Sequence, residues 1–263
     1  MKVAFKLFLL LILTISINKS FSQKMIENYQ PLKKDSVRIG TGENDFLPII
    51  RSGNTLKLPQ NKTNRGVLII KEDSGNDKKN KSSKQLYHQA LEKGFAVLSV
   101  STEIPFDFYF SKTSILSAHK TIQKAFTKHN LPNKNIFFLG GSLVGHRAMR
   151  YIKFIKEGIY EFQPNIKGVV ICNFTLEWTR KWYQHKREIR INRNSLWEPK
   201  FINYMLETHL NGPPTTVPER YHNFSAYSYF DEKNENIKIY KNYAIRAYIE
   251  PAIKYRLTKY LFT

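Results

Sequence analysis

Continuous aliphatic runs alternate with amphipathic segments through the middle of the chain. Four runs lack any polar alternation, which predicts strands covered on both faces, at 66–70, 95–100, 135–139 and 166–172. The segments between them carry apolar residues at three- and four-residue steps, which predicts helices at 82–93, 111–128 and 144–157. This alternation predicts an α/β fold with a mostly parallel sheet flanked by helices.

The rhythm breaks on either side of this region. Short extended stretches at 46–50 and 55–58 predict an irregular N-terminal ribbon. The segment 173–230 is long and rich in Trp, Tyr and Arg, with one predicted helix at 198–209. We interpret it as a cap-like insert that covers the carboxyl edge of the sheet, where ligand clefts of open α/β sheets lie. The aromatic residues expected to pack there are Trp178, Trp182, Tyr183 and Trp197. After the insert, the sequence predicts a strand at 243–248 and a helix at 252–261.

The N-terminus has the pattern of a signal peptide. Lys2 and Lys6 precede an apolar run at 7–17, and Ser20 to Ser22 offer a small-x-small cleavage site. The run is shorter than the roughly 20 residues of a membrane-spanning helix, which favours removal by signal peptidase over the alternative of an uncleaved anchor. No membrane span is expected after its removal. We expect residues 1–22 to be removed and residues 23–263 to form one exported domain, periplasmic or secreted.

Charge and cysteine content narrow the functional classes. The net charge of +21 owes only Lys2, Lys6 and Lys19 to the first 22 residues, so an anionic surface or polymer is a candidate partner. The alternative is a solvated basic surface without a specific partner, because the lysines are scattered along the chain. No nucleic-acid-binding motif accompanies the charge. Cys172 is the only cysteine, which excludes an intramolecular disulfide, and its apolar surroundings predict a core residue rather than a nucleophile. No metal-ligand spacing is present, and we expect no metal or cofactor.

One strand runs directly into Gly140, Gly141 and Ser142. A nucleophilic serine at the end of a parallel strand needs a tight, strained turn with small neighbours, so that its hydroxyl stands clear of the sheet. The helix that follows offers backbone N–H groups to an oxyanion. The sequence therefore predicts Ser142 at a nucleophile-elbow turn.

The stretch 135–146 and its strand–turn–helix setting resemble the elbow of the α/β-hydrolase family. The resemblance implies Ser142 as the nucleophile and the N–H of Leu143 as one oxyanion donor. Family members carry glycine two residues after the serine, where this chain has Val144, with Gly145 one position later. By the same resemblance, the loop carrying Ser74 and Gly75 would supply the second oxyanion donor, although it also carries Glu72 and Asp73, and Glu250 would be the acid.

The resemblance also implies a histidine after the acid, on one further strand. No histidine follows His222, so we expect a C-terminally incomplete hydrolase with an impaired triad, lacking the last strand and helix. The histidines that remain near the elbow or in the insert are His146, His185, His209 and His222. Two functions stay open: ester or peptide hydrolysis through Ser142, and non-catalytic binding on a hydrolase fold, with an anionic partner as a variant of the second.

Overall fold

The computed structural model describes residues 25–38, 46–60, 63–71, 81–101, 109–191, 197–233 and 235–248. Within these ranges one sheet has the strand order β1-β2-β4-β3-β5-β6-β7. Its strands are β1 (Met25–Arg38), β2 (Phe46–Lys57), β3 (Gly66–Lys71), β4 (Phe95–Ser101), β5 (Ile136–Gly141), β6 (Ile166–Cys172) and β7 (Ala244–Tyr248). The five strands from β4 to β7 in the sheet are parallel, and β2 and β1 join antiparallel at one edge.

Three helices flank the sheet, and four more follow β6 in the chain. The first group is α1 (Lys81–Glu92), α2 (Lys112–Lys128) and α3 (Ser142–Glu157). The second group is α4 (Trp178–Ile191), α5 (Trp197–Leu210), α6 (Pro218–Phe224) and α7 (Glu235–Lys238). None of the helices in the described ranges is long and apolar enough to cross a membrane.

The main core lies between the central strands and helices α2 and α3. Ile69, Ile136 and Phe138 from the strands are fully buried, and they share a cluster with Ile122 of α2 and Ile152 of α3. The predicted α/β fold with a mostly parallel sheet is therefore confirmed. Each predicted central strand and helix recurs within a few residues of its predicted bounds, because both faces of these strands are covered.

The N-terminal prediction was wrong in kind. Instead of an irregular ribbon, β1 and β2 form a long antiparallel pair, and β2 continues the sheet through its pairing with β4. Asn54 and Leu56 are buried while Thr55 between them is not, so this part of β2 buries alternate residues. A strand at the sheet margin carries this weak two-residue alternation rather than an aliphatic run, which explains the miss.

The insert contains more helix than predicted. The predicted helix at 198–209 is confirmed as α5, but α4 and α6 were not foreseen, and neither was α7, which follows the insert. The signal for α4 was present, since Trp178, Trp182 and His185 are buried at helical spacing. Its many basic residues masked that pattern.

A second apolar cluster joins the insert to the domain. Trp178 and Trp182 are buried in it together with Phe110 and Phe224, and Leu143 at the start of α3 packs against it. The insert therefore packs against the carboxyl end of β5, on the side predicted for the aromatic residues. Tyr183 departs from that prediction because half of its side chain is exposed. The side chain of Trp197 lies outside what the structure describes.

Candidate functional site

Ser142 begins helix α3 directly after the last residue of β5. Strand β5 lies in the sheet between the parallel strands β3 and β6. Its φ of 50° lies in the left-handed region, which a residue with a side chain adopts at a cost. The residue is exposed, whereas residues 145–149 in the next turns of the helix are buried. The predicted position and strained backbone of the elbow serine are both confirmed.

Close packing across the turn explains why residue 140, two positions before Ser142, is a glycine. A Cβ on Gly140 would lie 2.6 Å from the carbonyl carbon of Val144 and 2.7 Å from the nitrogen of Gly145. These are backbone atoms and cannot rotate away. The close contact across the turn is therefore made between Gly140 and the backbone of Val144. The branched side chain of Val144 does not take part in it.

The other two glycines of the turn differ in how much space they have. A Cβ on Gly145 would meet Cβ of Phe174 at 3.0 Å and the carbonyl oxygen of Gly140 at 3.2 Å, which leaves little room. A Cβ on Gly141 would lie 3.7 Å from the carbonyl oxygen of Cys172, an ordinary contact. Cys172 itself is half-buried at the end of β6 rather than a fully buried core residue as predicted.

The start of α3 offers backbone donors beside Ser142. Gly141 occupies the N-cap position, and no side chain caps the helix there. The N–H groups of a helix's first turn have no partner within the helix, and the helix dipole favours negative charge at this end. The N–H of Leu143 belongs to this turn, and its role as an oxyanion donor stays a prediction. Ser74, Gly75 and Glu250, assigned to the second donor and the acid, lie outside the described residues.

His146 lies one turn after Ser142 but is committed to the core. The indole N–H of Trp178 donates to its Nδ1 at 3.1 Å, and the rings of Phe110, Trp178 and Phe224 surround it. Burial, and secondarily the charge of Arg150, hold the pKa of His146 well below its usual range. The imidazole is therefore neutral with its proton on Nε2, and the nitrogen that could accept a proton is already occupied.

His185 is likewise buried, within the insert. Its Nδ1 lies 3.0 Å from Oδ1 of Asn203, whose amide donates to the carbonyl of Trp182. Since the Asn203 oxygen accepts, Nδ1 carries the proton. Burial lowers the pKa of His185 to about 4. The contact joins α4 to α5 and leaves His185 a structural role.

His222 belongs to a polar network at the far end of α3. Its Nε2 lies 3.9 Å from Oδ2 of Asp231, which also accepts from the backbone N–H of Asn236 at 2.9 Å. Lys153 donates to Oδ1 of Asn236 at 2.8 Å. Lys153 lies three turns after Ser142, or roughly 16 Å along the helix axis. The structure therefore places His222 away from the elbow.

His209 is the exposed histidine of the insert. Its ring stacks on Phe110 with centroids 6.2 Å apart and an interplanar angle of 13°. Phe110 in turn lies 5.9 Å from the His146 ring, in the cluster against which Leu143 packs. Within the described residues, no hydrogen bond joins His209 or any other side chain to the hydroxyl of Ser142.

The described residues line a cavity but form no metal-ligand cluster. An open cavity of about 420 Å³ runs between α2 and the second half of α3, and Phe110, Arg150 and Tyr160 are among its lining residues. The described residues contain no group of three histidine, cysteine or acidic side chains that could hold a metal ion. The described residues of the elbow present a serine hydroxyl beside backbone N–H groups.

Comparisons with known proteins found distant similarities to solved structures. No protein-family model and no curated protein sequence matches the chain. Among solved structures, esterase B from Lactobacillus rhamnosis is 12% identical, with a TM-score of 0.47 over 96% of this chain and 86% of its own. The Francisella virulence factor BioJ is 15% identical, with a TM-score of 0.42 over 92% of this chain and 80% of its own.

Lipase A from Candida antarctica is also similar, at 11% identity and a TM-score of 0.42. That match covers 62% of this chain and 45% of the lipase, so the chain spans less than half of its length. These similarities are distant. Within the described residues, the feature that resembles a hydrolase is the nucleophile-elbow arrangement of β5, Ser142 and α3.

Proposed function

We propose that this protein is a serine-hydrolase-like enzyme of low activity that transfers acyl groups from esters or peptides to Ser142. The Oγ of Ser142 would attack the acyl carbonyl, the alcohol or amine would leave with the serine proton, and water would then hydrolyse the acyl-serine. The observation that carries the proposal is the exposed Ser142 in the left-handed region at the end of a central parallel strand. The uncapped start of α3 supports it.

We infer low activity from the contacts of the histidines, which leave Ser142 without an evident base. A serine hydroxyl needs a base within hydrogen-bond reach, and His146, His185 and His222 are engaged elsewhere by the contacts described above. Loss of triad members leaves only the roughly 10³- to 10⁴-fold acceleration of an oxyanion hole and binding. We therefore propose an impaired triad, with His209 as the first histidine to replace should turnover be fast.

A second candidate is a binding protein without turnover. The observation in its favour is the packing of aromatic side chains around His146, the histidine one turn from Ser142. In that case the elbow would survive as architecture only. In both cases we propose export, because the charged start, the apolar run and the cleavage-site pattern of residues 1–22 have the order of a signal peptide.

Turnover of nitrophenyl acetate separates the two candidates. We expect a rate above that of buffer yet far below the roughly 1 to 10³ s⁻¹ of ordinary enzymes, and we expect Ser142→Ala to abolish it. A rate equal to that of Ser142→Ala would favour the binding protein. Turnover at an ordinary rate that is lost in His209→Gln, but kept in the exposed control His88→Gln, would show that the triad is not impaired.

A further inference from the structure

Helix α4 has two opposite faces. Its inner face carries Trp178, Trp182 and His185, all buried at steps of four and three residues. The side chains half a turn away point outward and are exposed. They are Arg180, Tyr183, Gln184, Arg187, Arg190 and Ile191. We call Arg180, Arg187 and Arg190, with Tyr183 and Ile191 between and beside them, the arginine face.

The acidic residues near α4 are engaged with other partners. Glu188 accepts from the amide of Gln184 at 2.6 Å. Glu207 on α5 accepts from the Trp182 indole at 2.8 Å and lies 3.3 Å from Nζ of Lys186. In the described part of the chain, no ion pair involves the three arginines of the arginine face. Their charge is therefore directed at solvent.

Apolar side chains stand among these charges. Tyr183 is 50% exposed and Ile191 60% exposed. On the neighbouring helix, Tyr204 is 66% exposed. Exposed single apolar residues are common, but here two of them lie on the same helix face as three arginines. A purely ionic partner would leave Ile191 in water, whereas a lipid head-group layer takes up both kinds of side chain.

We propose that the arginine face of α4 docks onto an anionic phospholipid surface. The planar guanidinium group donates two parallel hydrogen bonds to a phosphate, which suits it to lipid head groups. The helix is 14 residues long, or roughly 21 Å, so the arginines can contact several head groups at once. The net charge of +21, of which residues 1–22 supply only Lys2, Lys6 and Lys19, leaves the remaining chain strongly basic and draws it toward such a surface at longer range.

Docking is independent of acyl transfer. Ser142 is absent from the arginine face, and the three arginines contact none of the elbow residues in the interactions described. Loss of docking would therefore leave the proposed function standing, and loss of activity in Ser142→Ala would leave docking unchanged.

Vesicle co-sedimentation tests the proposal. The chain without residues 1–22 is mixed with vesicles of phosphatidylcholine containing phosphatidylglycerol, or of phosphatidylcholine alone. The test variant is Arg180→Gln/Arg187→Gln/Arg190→Gln. Its matched control is Lys120→Gln/Lys124→Gln/Lys128→Gln, which removes the same charge from exposed positions on α2. All substituted side chains are exposed, and thermal unfolding checks that both variants fold.

We expect binding to the anionic vesicles, with a partition coefficient about a hundredfold lower in the arginine variant, because each basic residue near such a surface contributes roughly fivefold. The lysine control should lose less than tenfold, and Tyr183→Ser/Ile191→Ser should weaken binding at unchanged charge. Equal losses in the two charge variants, or equal binding to neutral vesicles, would overturn the proposal. Arginine-dependent binding to heparin or an oligonucleotide without vesicle binding would also overturn it, and would identify a soluble polyanion as the partner.

Discussion

The indole N–H of Trp178 donates to Nδ1 of His146 at 3.1 Å, joining the insert to helix α3 one turn below Ser142. Both residues are almost fully buried, Trp178 at 0% and His146 at 1% exposure. The bond decides which imidazole nitrogen holds the proton, and it removes His146 from the set of candidate bases. It also makes the packing of the insert depend on a residue of the elbow helix.

Replacement of His146 tests this hydrogen bond. Asparagine can place its side-chain oxygen where Nδ1 accepts, while leucine leaves the Trp178 N–H buried without an acceptor. We expect His146→Leu to lower the free energy of unfolding by about 1–3 kcal/mol relative to His146→Asn, measured by urea denaturation. Equal stabilities would contradict the hydrogen bond, and loss of Ser142 reactivity in a folded His146→Asn would contradict its structural role.

The glycines of the elbow give a matched pair. Gly140→Ala forces a Cβ to within 2.6 Å of backbone atoms, whereas Gly141→Ala makes an ordinary 3.7 Å contact at a φ of −104°. We expect Gly140→Ala to cost about 1–3 kcal/mol of stability through overpacking. Gly141→Ala should stay within about 0.5 kcal/mol of the parent. Urea denaturation measures both, and an equally tolerant Gly140 would contradict the close contact.

The elbow could be predicted because its requirements are local. Gly140, Gly141 and Ser142 stand between an aliphatic run and an amphipathic one, and a tight strand-to-helix turn needs small residues there. The long-range partners could not be predicted in the same way. Nothing in the local pattern of residues 173–230 says that Trp178 meets His146, since the two are brought together only when the insert folds back on α3.

The strands of the sheet also divide into those that the sequence predicts and those that it does not. Strands such as β5, covered on both faces, appear in the sequence as apolar runs. β2 and β1 do not, because their alternation is weak and their place beside β4 is set by pairing rather than by composition. Helix α4 was missed because five basic residues dilute its apolar spacing, although Trp178, Trp182 and His185 had the required period.

His185 predicts a loss of stability in acid. Burial lowers its pKa to about 4 in the folded chain, against about 6.5 in the unfolded chain. Between these values the unfolded chain binds more protons, so the contribution of His185 is fully present above pH 6.5 and falls as the pH drops toward 4.

We therefore expect the melting temperature to fall between pH 7 and pH 4.5, and to fall less steeply in His185→Asn, which keeps a donor toward Asn203. The exposed His88 supplies the control, since its side chain is 63% exposed. An unchanged pH dependence in His185→Asn, or an equal change in His88→Asn, would contradict the assignment.

Covalent labelling by a fluorophosphonate tests most directly whether Ser142 is a nucleophile. The reagent bonds a serine Oγ to phosphorus with loss of fluoride, so intact-mass and peptide analysis read the site without knowledge of the substrate. We predict one adduct per chain, on Ser142, formed slowly for want of a base. The adduct should still form in the control variant Ser117→Ala and should be absent in Ser142→Ala. No adduct under prolonged exposure, or an adduct on another residue, would contradict the account.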